Sequence, residues 1–353
     1  MTKLTVSLVI PCLNEAQTLR ECILDAKKYG NKFFRNAYEI LVSDNGSTDG
    51  SLKIAKKEGI RIIKVPVRGY GAALHWGILN SKSTYSLIAD ADLSYPFSNL
   101  KMFKKMIIKK PDLVLGSRLK GKIEKGAMPF LHRYFGTPVL TALIRIIYGI
   151  KTTDCNSGMR LIKNNFYKNL NMRNSGMEWA SELLLKTALK KGKYLEVKID
   201  FKKDKRVRRP HLDTWADGWR HLKSIVLLKA QILNWGIVFL TVLSVFFYKR
   251  SFAISFLSLS LAFVLFLSLL TLQLLKTVIE KRENRISNYL IQFKLVPLSF
   301  LATFLIGVGI ILIPESRLGT KLFLVNIICI IYMWLFLVET IKTHLINKLP
   351  DAK

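Results

Sequence analysis

Asp90 and Asp92 stand one residue apart, directly after an apolar run over 85–89 that reads as a buried strand. Carboxylates so placed at a strand's end can share one hard divalent ion, and that ion can hold a diphosphate as well. Two solvated turn residues would produce the same triplet, so its weight depends on its company. A second strand-like run, 39–43, ends in Asp44-Asn45-Gly46-Ser47-Thr48-Asp49-Gly50. A carboxylate there can accept the N–H of a uracil or guanine ring. The glycine lets a ligand approach the backbone, and Ser47 or Asp49 can cap the following helix. A plain turn before a capped helix accounts for Asp49 but hardly for Asp44. The string Arg68-Gly69-Tyr70-Gly71-Ala72-Ala73 opens a third helical stretch, where glycines can leave backbone N–H groups bare for a diphosphate.

These residues need a frame that brings them to one edge. The first half of the chain alternates short apolar runs with helical patterns, which predicts β-α units on a mostly parallel sheet. Strands are expected over 6–10, 38–43, 61–65, 83–89 and 113–116. Helices are expected over 15–29, where Leu19, Cys22, Ile23 and Ala26 fall at helical spacing, over 51–58, and from about residue 72. Sheets of this kind bind ligands beyond the carboxyl ends of their strands, where Asn14, Asp44 and Asp90 fall.

The 353-residue chain is half hydrophobic yet carries a formal net charge of +31. Charge and apolar character coexist because they are segregated. Most of the basic excess precedes residue 226, and uncharged apolar stretches follow at 230–248, 251–275, 295–314 and 322–338. A membrane helix needs roughly 17 to 25 predominantly apolar residues, so all four are predicted to span. Ahead of them, Trp215, Trp219, Leu222 and Val226 recur at helical spacing among Arg220, His221 and Lys223. Such a helix can lie in the headgroup layer or pack on the preceding domain. Positive-inside counting puts the cluster Lys276, Lys281, Arg282, Arg285 and Lys294 in the cytoplasm, and with it the head and the C-terminus. Lys249-Arg250 goes against that rule, which leaves a tight outer hairpin or a re-entrant first segment. A basic head suits anionic partners such as lipid headgroups and phosphates. Nucleic acid is not expected, because no motif for it accompanies the charge. Cys12, Cys22, Cys155 and Cys329 form no C-x-x-C pair and are expected as reduced thiols without disulfide or zinc. The N-terminus is not expected to be a signal peptide, since Pro11 and Asn14-Glu15 follow its short apolar run.

As an ordered set, Val9-Ile10-Pro11-Cys12-Leu13-Asn14-Glu15, the Asp44 string, the Arg68 string and Asp90-Ala91-Asp92 resemble family-2 glycosyltransferases of the GT-A fold. Further motifs resemble the polyprenyl-phosphate branch of that family, which includes dolichyl-phosphate mannose synthase and bactoprenol glucosyltransferases. They are Gly116-Ser117-Arg118, Arg133-Tyr134-Phe135-Gly136-Thr137, the stretch from Asp154 to Arg160, Gly176-Met177-Glu178 with Glu182, and Pro210 to Leu222. The likeness runs over residues 5–225, and the tail matches in kind rather than in sequence. With the apolar segments it implies a catalytic α/β GT-A domain over 1–210, an interfacial helix over 211–229 and an all-α membrane domain of about four helices over 230–353.

The resemblance also implies roles. Pro11, Asn14, Glu15 and Asp44 would line the nucleoside pocket, with Gly69, Gly71 and Asp90 at the nucleotide. Asp90 and Asp92 would bind Mg2+ or Mn2+ together with the donor diphosphate. Arg118, Arg133 and Thr137 would receive the lipid phosphate, and Asp154, Arg160 and Glu182 would border sugar and acceptor. Asp92, Asp154, Arg118 and Arg133 form the catalytic set. Ser94 stands where mannose synthases often have a third metal contact, which leaves the coordination set open. The basic run over 202–209 replaces a Gly/Ser-containing loop, so Arg206 and Arg208 are assigned to diphosphate or membrane contact. Glu182 has a second reading, since Lys186 four residues on permits an ordinary ion pair.

A polyprenyl monophosphate, with a second pKa of about 6, is largely dianionic at neutral pH and needs positioning more than a general base. Direct displacement would invert the anomeric centre. The expected function is transfer of one sugar from a UDP- or GDP-hexose to a polyprenyl phosphate in the bilayer. A processive polysaccharide synthase is an alternative, although the Q-x-x-R-W motif it would need is absent from the sequence. A non-catalytic lipid-carrier translocase or scaffold is another. The tail would either anchor the head or assemble a homo-oligomer.

Overall fold

The computed structural model describes residues 5–206 and 214–228, with the single positions 239 and 242. The apolar run Val6–Cys12 forms β1, and every residue of it is buried. It pairs in parallel with β2 (Tyr38–Asp44) on one side and β4 (Tyr85–Ile88) on the other. β3 (Arg61–Lys64) continues the sheet beyond β2, also in parallel. With β5 (Leu113–Ser117), β6 (Arg160–Lys163) and β7 (Tyr194–Lys198) the order is β3-β2-β1-β4-β6-β5-β7. β6 runs antiparallel to both neighbours, so β4 and β5 point the same way and end at the same edge. The chain steps outward from β1 to β2 and β3, then returns across β1 to lay down β4. That reversal opens a crevice at the carboxyl ends of β1 and β4.

The helices are α1 (Leu19–Phe34), α2 (Ser51–Lys57), α3 (Tyr70–Leu79), α4 (Leu100–Ile107), α5 (Thr137–Tyr148), α6 (Asn164–Lys168), α7 (Trp179–Leu189) and α8 (Thr214–Leu227). On one face of the sheet Val6, Leu8 and Ile10 pack with Leu19 and Ile23 of α1 and Phe103 of α4. On the other, Ile88 and Ile162 pack with Leu74 of α3, Ile144 of α5, Leu183 of α7 and Ile225 of α8. Burial on both faces explains why the central strands are continuous apolar runs instead of alternating ones.

The expected strand and helix order over the first 117 residues is observed, with shifted ends. α1 starts at Leu19 and not at 15, because Asn14 takes a left-handed φ of 58° and the Glu15 carbonyl accepts the N–H groups of Thr18 and Leu19 in a turn of its own. β6, β7 and α5 have no counterpart among the elements expected from the sequence. α5 is entered through a π-helical turn, His132–Gly136. Cys12, Cys22 and Cys155 are buried free thiols, and Cys329 lies outside the described residues.

α8 coincides with the predicted interfacial helix, and one side of it is a packed seat. Ile225 is fully buried, Tyr148 Oη donates to the Ile225 carbonyl at 2.6 Å, and Ser181 Oγ lies 2.7 Å from His221 Nδ1. The compact unit closes at Leu228. Among the described residues no helix is long and apolar enough to cross a membrane, and apart from positions 239 and 242 the four predicted spans lie outside those residues.

Candidate active site

β2 ends in Asp44, whose buried carboxylate accepts the N–H groups of Gly46 at 3.2 Å and Ser47 at 3.1 Å. The turn so formed is tied to the β1–α1 loop. Ser47 Oγ accepts the Asn14 N–H at 2.9 Å, and Asn14 Oδ1 accepts the Thr48 N–H at 2.7 Å. Asp49 accepts the N–H groups of Ser51, at the start of α2, and of Ala16, both at 2.9 Å. Pro11 lies within β1 opposite Ser43. The Asn14, Glu15 and Asp44 expected at the nucleoside are therefore brought to one edge. Exposed Arg68, to which the sequence assigned no role of its own, stands over the turn, its guanidinium carbon 3.5 Å from where a Cβ on Gly46 would lie.

Gly69 and Gly71 have a steric explanation. A Cβ on Gly69 would stand 2.2 Å from the Ser175 carbonyl oxygen, and one on Gly71 would stand 2.5 Å from Trp179 Cβ. Two backbone donors here have partners nearby: the Gly69 N–H donates to Asn45 Oδ1 at 2.8 Å and the Ala72 N–H to the Ser175 carbonyl at 3.0 Å. The glycines let α3 close on residues 174–179.

Asp90 and Asp92 follow β4 on a loop in which Leu93 holds a φ of 66°. That conformation costs a branched residue about 1–3 kcal/mol and clusters at functional sites. Asp92 is buried, and its Oδ1 accepts the Ser94 N–H at 3.0 Å and the Ser94 hydroxyl at 2.6 Å. Ser94 thus orients Asp92. Asp90 Oδ1 accepts the Tyr70 hydroxyl at 2.8 Å. Gly158 approaches so closely that a Cβ there would lie 2.9 Å from Asp90 Oδ2, and its N–H donates to Tyr95 Oη at 2.7 Å. Burial, and next the charge of Asp92, push the Asp90 carboxyl up to about 7, against the Tyr70 hydrogen bond and the Arg206 charge. Two carboxylates so close and so dry call for a cation.

The cation present is Arg206, whose Nη2 donates to Asp92 Oδ2 at 2.8 Å and Nη1 to Glu15 Oε1 at 3.2 Å. Among the described residues no group of three His, Cys, Asp or Glu side chains forms a metal cage. Two carboxylates do fit Mg2+ or Mn2+, which usually keep waters and take further oxygens from substrate phosphates. The donor set suits a metal–diphosphate more than a bare ion.

Beyond β5, Arg118 forks onto Asp154: Nε reaches Oδ2 at 2.8 Å, Nη2 reaches Oδ1 at 2.7 Å, and the Arg118 N–H adds a third bond at 3.0 Å. Asp154, expected beside the sugar, is fully buried, and its oxygens serve to fix Arg118. The guanidinium lies 5.2 Å from the centre of the Phe201 ring. Burial, followed by the Arg118 charge, lowers the pKa of His132, on the π-helical turn that also carries Arg133. Arg133 rests over the Tyr134 ring at 5.3 Å, and Thr137 is buried at the start of α5.

Arg160 and Glu182, expected to border sugar and acceptor, are both held by internal partners. Arg160 is almost wholly buried and donates to the carbonyls of Ser157 and Cys155 at 2.8 Å and of Ala180 at 2.5 Å, clamping the 155–158 loop to α7. Glu182 accepts the N–H groups of Arg173 and Asn174 at 2.9 Å and pairs with Lys186 at 2.7 Å, so its alternative reading as an i,i+4 pair is the one observed. Arg208 lies outside the described residues. Tyr70, Tyr95 and Gly158 at Asp90 carry no role in the sequence-based expectation. The signal for Tyr70 is its position between two glycines on the ligand edge.

The model of Glycosyl transferase family 2 matches residues 7–170. The low-salt glycan biosynthesis hexosyltransferase Agl6 of Haloferax volcanii is 32% identical over 231 residues, 63% of this chain and 53% of that one. The chain thus aligns with about half the length of that relative. The dolichyl-phosphate hexose transferase of the same organism is 29% identical over 224 residues, 63% of this chain and 92% of the relative. In fold the chain is similar to glucosyl-3-phosphoglycerate synthase from Mycobacterium tuberculosis, crystallised with Mn2+, uridine diphosphate and phosphoglyceric acid. The TM-score is 0.50 at 20% identity, covering 63% of this chain and 77% of that one. The architecture is accordingly GT-A-like, with a mostly parallel sheet.

Proposed function

We propose, from the glycosyl transferase family 2 domain matched over residues 7–170, that the chain moves one hexose from a UDP- or GDP-sugar to a polyprenyl phosphate. The observation that carries the reading is the placement of two charged sets at one edge of the sheet. The Asp90–Asp92 pair follows β4, and Arg118, fixed by Asp154, follows β5. One set suits a donor diphosphate, and the other suits a second phosphate brought against it. A relative named as a dolichyl-phosphate hexose transferase supports this acceptor class.

Asp90 and Asp92 are the residues that would hold Mg2+ or Mn2+, and the fold neighbour carries Mn2+ with uridine diphosphate. Such an ion neutralises charge on a departing diphosphate. The chain's own groups do the rest. Ser94 and Tyr70 aim the two carboxylates. The Asp44 turn presents a buried carboxylate where a base ring can donate to it. Arg118, with Arg133 on the neighbouring turn, orients the acceptor phosphate, which is already a nucleophile at neutral pH and attacks with inversion.

The head works at a bilayer surface, an arrangement supported by two features. Phe130, Leu131, Tyr134, Phe135, Val139 and Ile146 are exposed apolar residues along the π-helical turn and α5, interleaved with Arg133 and Arg145. Beyond residue 229 the sequence holds four uncharged stretches of spanning length.

Purified full-length protein, labelled nucleotide sugars and polyprenyl phosphate test the proposal. One sugar per lipid is expected; a polymer, or no lipid product with any UDP- or GDP-hexose, would overturn it. Asp92→Ala should abolish transfer while the protein stays folded, and near-normal turnover would exclude the role given to the carboxylate pair.

A further inference from the structure

Arg206 sits where three acidic segments meet. Asp92 reaches it from the loop after β4, Glu15 from the loop after β1, and Asp204 from two residues upstream. Nε bonds both Asp204 oxygens at 3.0 and 2.8 Å, and the Arg206 N–H bonds Asp204 Oδ1 at 2.8 Å. These carboxylates hold the partly buried guanidinium in place. The segment bearing it runs along the aspartate loop: the Lys202 N–H donates to the Ser94 carbonyl at 2.9 Å and the Lys205 N–H to the Asp92 carbonyl at 3.2 Å. Lys205 Nζ adds an ion pair with Glu21 at 2.5 Å.

The guanidinium on Asp92 Oδ2 competes with a divalent ion there, because Asp92 Oδ1 is already taken by the Ser94 N–H and hydroxyl. Without any cation, Glu15, Asp90 and Asp92 would repel one another in a water-poor crevice. We propose that Arg206 is the built-in counter-ion of this site: it holds the carboxylates together in the empty enzyme and must withdraw before the metal and the donor diphosphate can enter. Residues 202–206 would leave the aspartate loop with it. The inference rests on the metal–diphosphate role proposed for Asp90 and Asp92. It adds a competing cation, so apparent metal affinity is reduced by the fraction of molecules in which Arg206 is seated.

Mn2+ binding to the full chain, followed by the electron paramagnetic resonance of the free ion without nucleotide, tests this independently of turnover. Arg206→Gln should bind Mn2+ at least about fivefold more tightly than the native protein, the lower end of ordinary coupling between sites. Arg206→Lys should fall between, since an ammonium keeps the charge but cannot bridge three carboxylates. Unchanged or weaker binding in Arg206→Gln would overturn the inference. The native chain supplies a second readout. Mn2+ alone should speed tryptic cleavage after Lys205 and Arg206, and an unaltered cleavage rate at saturating Mn2+ counts against withdrawal. If Arg206→Gln gains affinity but neither uridine nor guanosine diphosphate strengthens Mn2+ binding, the counter-ion role stands and the proposed donor chemistry falls.

Discussion

Asp154 has no contact with solvent, and both of its oxygens are occupied by Arg118. Taking such a carboxylate away leaves a guanidinium buried without its partner, which typically costs about 3–5 kcal/mol. Asp154→Ala should therefore lower thermal stability by that order, measured as the unfolding midpoint of the purified protein. It should also lower transfer activity by freeing Arg118 from its fixed orientation. A variant with an unchanged midpoint would show that the fork contributes little. Both residues are legible in the sequence as parts of charged motifs, but their partnership is not. They are 36 positions apart, and only the pairing of β5 with the four-residue β6 brings them together. Arg160 is illegible for the same reason. Its carbonyl partners carry no side-chain signature, so a buried structural arginine and a ligand-facing one look alike in sequence.

The long-range order of the elements from β1 to β5 is readable because each strand is an apolar run and each following helix has a helical stripe. Their ends are less so. A left-handed Asn14 delays α1, and an α3 that begins at Tyr70 needs Gly69 and Gly71 for reasons visible only when residues 174–179 lie against it. α8 shows how an element can have two readings at once. Its tryptophans suggest a headgroup helix, yet His221, Ser224 and Ile225 are buried against the domain. Burial, with a smaller contribution from the Arg160 charge, depresses the His221 pKa to about 4. The unfolded ring titrates near 6.5. Stability from the neutral ring is therefore complete above that value and is lost as pH falls toward 4. The loss approaches roughly 3 kcal/mol, because each tenfold difference in proton affinity between the folded and unfolded ring is worth about 1.36 kcal/mol. Hydrogen exchange in α8 should accelerate over this interval in the native protein. In His221→Gln the acceleration should be largely gone, and an identical pH profile in the two would deny that this histidine governs the seat.

At the scale of the whole molecule, the proposed function would have charge and apolar surface divide the work of reaching a lipid. Under that proposal the strongly basic head would be drawn to anionic headgroups by about 1 kcal/mol per lysine or arginine near the surface, an attraction that salt screens. The exposed residues of the π-helical turn and α5 have a different effect. An exposed phenylalanine that enters an apolar layer gains about 1.5–3 kcal/mol, and Phe130 and Phe135 flank Arg133. If that ridge seats the acceptor arginines on the bilayer, removing it should harm capture of a membrane-bound acceptor while sparing the chemistry. The full-length Phe130→Ser/Phe135→Ser variant should show KM for a long polyprenyl phosphate in vesicles raised by about tenfold, the equivalent of one lost 1.4 kcal/mol contact. With a short, water-soluble isoprenyl phosphate its KM and kcat should stay within about twofold of native, since the acceptor then needs no lipid surface. An equal loss with both acceptors would place the ridge in the folding of the site instead of at the membrane. The vesicle KM of the native protein should in addition rise with ionic strength, because the charge component is screened while the apolar one is not.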